Sequence, residues 1–145
     1  MVPECRAGWG GGMIRGRCHC GAAGWRFDAT PDHVTACNCT FCRRAGVLWI
    51  YGHEGETVHL TAPEAALRPY VQGDASLAFL FCTICGNLVA WRGLGVEPDG
   101  RRRMAVNLRL TEPGPVAHLP ISHFDGLDSW SDLPDDGRTV GEMWF

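Results

Sequence analysis

The sequence predicts a mainly-β domain built from short antiparallel strands. Three observations carry that expectation. Short segments rich in β-branched and aromatic residues recur along the chain, and several alternate apolar with polar side chains. Clusters of Gly, Pro and Asp separate them at close intervals, as turns between strands require. No stretch keeps a helical period for the ten or so residues a buried helix needs; Ala62 to Leu67 is the only helix-permissive one, with Pro63 at its first turn.

Taken in order, residues 1–13 are a Gly-rich, patternless leader expected to be disordered, with Met13 a candidate start of the folded part; residues 14–145 form a single domain. Trp25-Arg26-Phe27 alternates and ends at the turn Asp28-Ala29-Thr30-Pro31. Val34 to Cys37, Val47 to Gly52 and Thr57 to Thr61 follow as strands, the last two separated by the turn of Gly52-His53-Glu54-Gly55. Beyond Gly73-Asp74 come Leu77 to Phe81 and Leu88 to Trp91. After Pro98-Asp99-Gly100 a strand is expected over Met104 to Leu110, where Val106 to Leu110 alternates. Trp25, Trp49 and Trp91 lie in strand-like segments and are expected in the core. Trp130 and Trp144, in polar, Gly-rich surroundings, are placed on a groove or a sheet edge.

Composition bounds the function. The chain has 145 residues, 46% hydrophobic and 20% charged, with a formal net charge of −3. Six Trp, six Phe and two Tyr exclude a disordered acidic tail. There is neither an apolar run of about 18 residues nor an apolar stretch of secretory type near the start, so a soluble, cytoplasmic protein is expected. All 13 basic residues are Arg, which removes Schiff-base lysine chemistry, and the mild acidity argues against nucleic acid as a partner.

Eight cysteines give the chemical signal. Seven are grouped: Cys18 and Cys20; Cys37, Cys39 and Cys42; Cys82 and Cys85. Cys5 stands alone and is read as incidental. Neighbours one or two residues apart rarely bridge each other but readily aim thiolates at one ion, and a long, well-cored chain has little need of disulfides. Phe81-Cys82-Thr83-Ile84-Cys85-Gly86 has the form of a zinc knuckle, with Gly86 free to take the positive φ that ends the turn. Cys18-His19-Cys20-Gly21 is a shorter version. Cys37-Asn38-Cys39-Thr40-Phe41-Cys42 offers three thiols from one loop. The economical assignment is two zinc sites: Cys18, Cys20, Cys82 and Cys85 around a closed structural ion, and Cys37, Cys39 and Cys42 around a second with an open position. Spacing alone leaves another pairing open, in which Cys18 and Cys20 share an ion with two of the middle group. His53 or His19 are the first candidates to close the second site.

These residues carry a resemblance. Gly16-Arg17-Cys18-His19-Cys20-Gly21, the Cys37 to Gly46 segment and Phe81-Cys82-Thr83-Ile84-Cys85-Gly86 resemble the glutathione-dependent formaldehyde-activating enzyme family, which also includes centromere protein V. Phe124-Asp125-Gly126 is similar to a late motif of that family. The resemblance implies a β-tent-like fold of small antiparallel sheets pinned by zinc, the two-site pairing preferred above, and glutathione as co-substrate. The implied activity is that of a carbon–sulfur lyase or synthase joining glutathione to formaldehyde as S-hydroxymethylglutathione.

At an open three-thiolate zinc, either a bound sulfur stays nucleophilic or the carbonyl is polarised, and the sequence leaves both open. Tyr51, His53 and a metal-bound water are candidate proton donors. Arg43 and Arg44 can hold the carboxylates of glutathione or stand as solvated charges. Arg101, Arg102 and Arg103 read as a solvated loop. The alternative function is a non-catalytic zinc scaffold that binds a protein or nucleic-acid partner. Two zinc ions on seven thiolates would take the formal charge to about −6, which would repel DNA.

Overall fold

The computed structural model describes residues 12–144. The leader expected over residues 1–13, apart from its last two residues, and Cys5 lie outside them. Ten strands form two sheets. The smaller joins β1 (Ile14–Arg17), β2 (Gly24–Phe27) and β5 (Val58–Leu60) in the order β1-β2-β5, all antiparallel. Along β1, Ile14 and Gly16 face inward while Arg15 and Arg17 face solvent. Gly16 admits no larger residue, because a Cβ there would overlap the indole of Trp25.

The larger sheet contains β3 (Val34–Cys37), β4 (Trp49–His53), β6 (Leu67–Val71), β7 (Leu77–Cys82), β8 (Leu88–Gly93), β9 (Arg103–Asn107) and β10 (Ile121–Phe124). Its order is β10-β3-β4-β9-β8-β7-β6. Its central strands are buried on both faces, which explains apolar runs where a half-exposed strand would alternate. Ile50, Val89, Ala90, Met104 and Val106 join Trp25, Phe27 and Val58 of the small sheet in one core. On the opposite face Trp49, Phe79, Leu88, Trp91 and Ala105 pack with Cys42 in a second, aromatic-rich cluster. That second face bears the three-cysteine loop. Trp25, Trp49 and Trp91 are 0%, 2% and 7% exposed, as expected of core residues.

The strands expected from Val34 to Trp91 are present within two residues at each end. The structure differs from the sequence reading at four places. First, β10 lies parallel to β3, with Ile121 opposite Val34 and Phe124 opposite Cys37. Second, β9 stops at Asn107, whose side-chain carbonyl accepts the Arg109 backbone N–H and starts a 3-10 turn over Leu108–Leu110. Third, the helix-permissive stretch is only a 3-10 turn at Glu64–Ala66, and the chain continues as β6, an edge strand where Pro69 removes no central ladder bond. Fourth, three short helices occur elsewhere: α1 (Cys42–Ala45), α2 (Pro113–Val116) and α3 (Val140–Trp144). Val116, Leu119 and Val140 are buried in the main core, so the late segment belongs to the fold. No helix among the described residues is long and apolar enough to cross a membrane.

Candidate metal centre

The first cysteine group sits where the two sheets meet. Cys18 directly follows β1, Cys82 ends β7, and Cys20 and Cys85 occupy the turns beyond them. Gly21 at φ 83° and Gly86 at φ 77° close those turns in a conformation side chains resist. The four Sγ atoms all lie within 4.8 Å of one another, with Cys18–Cys20 and Cys20–Cys82 both at 3.6 Å. Backbone N–H groups aim at the sulfurs, Ala23 at Cys18 (3.3 Å) and Ile84 at Cys82 (3.4 Å). Four thiols so close cannot all ionise unaided. Burial works against the Cys85 thiolate, but N–H donors from Asn87 and Cys20 outweigh it and bring its pKa to about 6. At Cys20 the Ala22 N–H favours the thiolate, yet burial and three neighbouring thiols push the pKa up to about 11. A dication removes that conflict. A tetrahedral zinc with sulfur at about 2.3 Å sets its ligands roughly 3.8 Å apart, which these spacings fit.

The second group is built by one loop. Cys37 ends β3, Cys39 lies in the turn, and Cys42 opens α1, which Gly46 terminates at φ 65°. The three Sγ atoms also lie within 4.8 Å of one another. Cys39 N–H donates to the Cys37 sulfur (3.4 Å) and Cys42 N–H to the Cys39 sulfur (3.2 Å). The indole N–H of Trp49 donates to Cys42 (3.3 Å), so a core tryptophan also fixes a ligand. The Cys42 thiol, by hydrogen-bonding Cys37, brings the Cys37 pKa down to about 6 against burial. That same bond, together with burial, pushes Cys42 far up. This donor set also suits a soft dication.

Among the described residues no histidine, fourth cysteine or carboxylate completes the second group. His53 instead pairs with Glu97 at 2.9 Å, and His19 lines a separate cleft. Tyr51 shares a strand face with Trp49 and is 42% exposed. Burial and, against a hydrogen bond from Thr35, the charges of Cys37 and Cys42 raise its pKa to about 12, so it keeps its proton at neutral pH.

A loop after β10 covers this group. Asp125 is its knot: the carboxylate accepts from the N–H groups of Leu127, Asp128 and Ser129, the Ser129 hydroxyl and the Asn38 amide. The Ser129 N–H, Asn38 and the Ser129 hydroxyl hold it well below the usual carboxylate range. The Asn38 side-chain oxygen in turn accepts the Leu127 N–H at 3.0 Å, tying the loop to the residue between Cys37 and Cys39. Trp130, 74% exposed at φ 52°, packs edge-on against Phe124. Asp125→Ala is expected to speed amide exchange at Leu127, Asp128 and Ser129 by about tenfold or more, while core amides keep their protection. Unchanged exchange at those three would refute the knot. The sequence reading quoted Asn38 and Asp125-Gly126 only within motifs, with no role for them, and passed over the second role of Trp49; an Asp followed by Gly and two serines was the further signal available.

Beside the loop, Phe41 stacks on Phe79 with centroids 3.7 Å apart, and Tyr70 lies 6.0 Å from Phe41. A groove of about 570 Å³ runs past Phe41, Tyr70, Phe81 and Arg44. Arg44 donates to the Thr40 carbonyl at 2.7 Å, while Arg43 is exposed. Arg101 pairs with Asp99, and Arg103 lies over Trp91 at 5.6 Å.

Comparison with known proteins agrees with this geometry. No curated protein matches the chain. A crystal structure of a Rhodobacter sphaeroides protein from a structural genomics programme has the same fold, with a TM-score of 0.57 at 21% identity, over 74% of this chain and 99% of that one. A family profile described as glutathione-dependent formaldehyde-activating enzyme matches residues 13–117, which include both cysteine groups. The chain belongs to the glutathione-dependent formaldehyde-activating enzyme family.

Proposed function

We propose that this protein makes or breaks an adduct between glutathione and a small aldehyde, of the S-hydroxymethylglutathione type, as a carbon–sulfur lyase or synthase. The observation that carries the reading is the asymmetry of the two thiol groups: four converge in one, three in the other with no fourth ligand beside them. In this reading Cys18, Cys20, Cys82 and Cys85 hold a structural zinc, and Cys37, Cys39 and Cys42 hold the zinc at which the reaction occurs. Zinc bound there supplies Lewis acidity and keeps a thiol ligand deprotonated.

The remaining work falls to the chain. N–H groups of Cys39, Cys42 and the Trp49 indole orient the three sulfurs and temper their charge. The protonated Tyr51 hydroxyl, on the strand face beside Cys37 and Cys42, serves as proton donor to an alkoxide formed from the aldehyde. Arg44, on the rim of the aromatic groove, and neighbouring Arg43 are assigned to one of the two carboxylates of glutathione. Grouped free thiols suit a reducing compartment, so the reaction is set in the cytoplasm.

The test is exchange NMR on glutathione and formaldehyde with zinc-loaded protein and with Cys39→Ala. Because the uncatalysed addition is quick, exchange rates rather than yields are compared. Acceleration by the parent that falls to background in the variant is expected. Equal rates in the two, or none above background in a protein carrying two zinc ions, would remove the lyase reading and leave a zinc-pinned scaffold.

A further inference from the structure

A second cleft, of about 360 Å³, is lined by residues that flank both cysteine groups. Arg17 and His19 bracket Cys18, Asn87 follows Cys85 by two residues, and Ala45 ends the helix that Cys42 begins. Arg109 and Asn107 form its floor, from the turn that follows β9.

Its hydrogen-bonding groups are lopsided. The amide oxygens are already engaged: Asn87 Oδ1 takes the His19 N–H at 2.8 Å and Asn107 Oδ1 takes the Arg109 N–H at 3.1 Å. Asn107 Nδ2 is spent on the Leu88 carbonyl at 2.9 Å. These backbone partners fix the orientation of both amides. Two donors are not used: among the described residues Arg109 Nε is buried with no hydrogen-bond partner, and Asn87 Nδ2 has none. No Asp or Glu lines the cleft.

Arg26, Arg92, Arg101 and Arg138 each have a carboxylate within 2.6–2.7 Å. Among the described residues the arginines with no carboxylate partner are exposed, Arg17 included, except Arg109, which is half-buried. Burial alone lowers the Arg109 pKa, with no counter-charge to restore it. Half-burying a guanidinium without a partner is costly, and the missing group must bring negative charge and paired acceptors. A carboxylate does both, because its two oxygens match the planar fork of Arg.

We propose that this cleft is a carboxylate-binding subsite for the thiol substrate, with Arg109 and Arg17 gripping the carboxylate and Asn87 Nδ2 as a further donor. The inference rests on the glutathione reading above: that tripeptide carries two carboxylates, so a second arginine pair besides Arg43 and Arg44 has one to hold.

The probe is S-methylglutathione, which keeps both carboxylates but has its sulfur capped, so binding is separated from chemistry. Calorimetric titration of the zinc-loaded full chain is expected to show binding that weakens by about tenfold or more in Arg109→Met and in Arg17→Met. Arg17 is exposed, so its variant keeps the test alive should Arg109→Met fold poorly. Arg109→Lys should recover only part of the affinity, since an ammonium offers no fork. The dimethyl ester of the probe should bind the parent weakly. With glutathione and formaldehyde, KM for glutathione should rise in both Met variants while kcat changes little, a split that a general loss of structure would not give.

Equal affinity in the parent and both Met variants would overturn the subsite and leave the proposed reaction standing. Inorganic phosphate that binds through Arg109 in a protein that ignores S-methylglutathione would overturn its assignment to the thiol substrate. Arg109-dependent binding of S-methylglutathione, in a protein that fails the Cys39→Ala comparison, would uphold the subsite and remove the reaction.

Discussion

Cys82→Ala is expected to yield a protein that no longer binds the metal proposed for the four-thiol group and unfolds without a cooperative transition. Cys82 is 2% exposed and Cys18 3%, and both sit inside the main hydrophobic core. Cys82 ends β7 and Cys18 directly follows β1, strands of different sheets, so the ion they would share would join the two layers. Structural zinc in small motifs contributes about 10–16 kcal/mol, the same order as the whole stability of a domain, roughly 5–15 kcal/mol. Loss of one ligand therefore removes a term as large as the net. The check is zinc per chain together with a thermal melt. A variant that keeps its zinc, or melts cooperatively within about 5 °C of the parent, would sink the structural assignment.

Gly126→Ala is the second large effect, of the opposite kind. A Cβ on Gly126 would lie 2.7 Å from the Cys37 sulfur and 3.0 Å from the Cys39 Cβ. Gly126 is there for close approach rather than for an unusual backbone angle. Relief requires the loop or the two cysteines to shift, and displacement of a reacting group by about 1 Å can cost a hundredfold in rate. The expected result is a folded protein, with its melting midpoint nearly retained, whose aldehyde-exchange activity falls about a hundredfold and whose second metal is lost more readily to a chelator. Full activity and unchanged metal retention would show that the covering loop does not control the site. Together the two variants would separate the thiol groups under the proposed function: one would fail as a fold, the other as a catalyst.

The three-thiol group was legible in the sequence because its members are close in the chain; the four-thiol group joins two close pairs 62 residues apart, a pairing that spacing made economical but left open and that the structure brings together. Strands such as Val34–Cys37 were legible because their composition is unambiguous. β6 was not: Pro69 and the preceding Glu64-Ala65-Ala66 argue locally against a strand, and only its position at the sheet edge makes it tolerable. α1 is too short for any period to register, though Gly46 marks its end. The parallel pairing of β10 was invisible because it joins residues 87 apart, where no local pattern reports a partner. For the same reason Asn38 and Asp125 did not suggest each other, and the unpaired state of Arg109 depends on what does not surround it.

That long-range pairing bears on the order in which the protein can be built. All seven grouped cysteines have been synthesised by residue 85, but the strand that flanks β3 and the loop that covers Cys37 arrive only with residues 121–131. A chain emerging from the ribosome can therefore assemble the four-thiol junction while the three-thiol loop still lacks its cover. The closure over such a long loop is entropically slow. During that interval Cys37, Cys39 and Cys42 are open to whichever soft metal ion reaches them first, so an ion held at the proposed second site would be selected during biosynthesis as well as by the finished geometry.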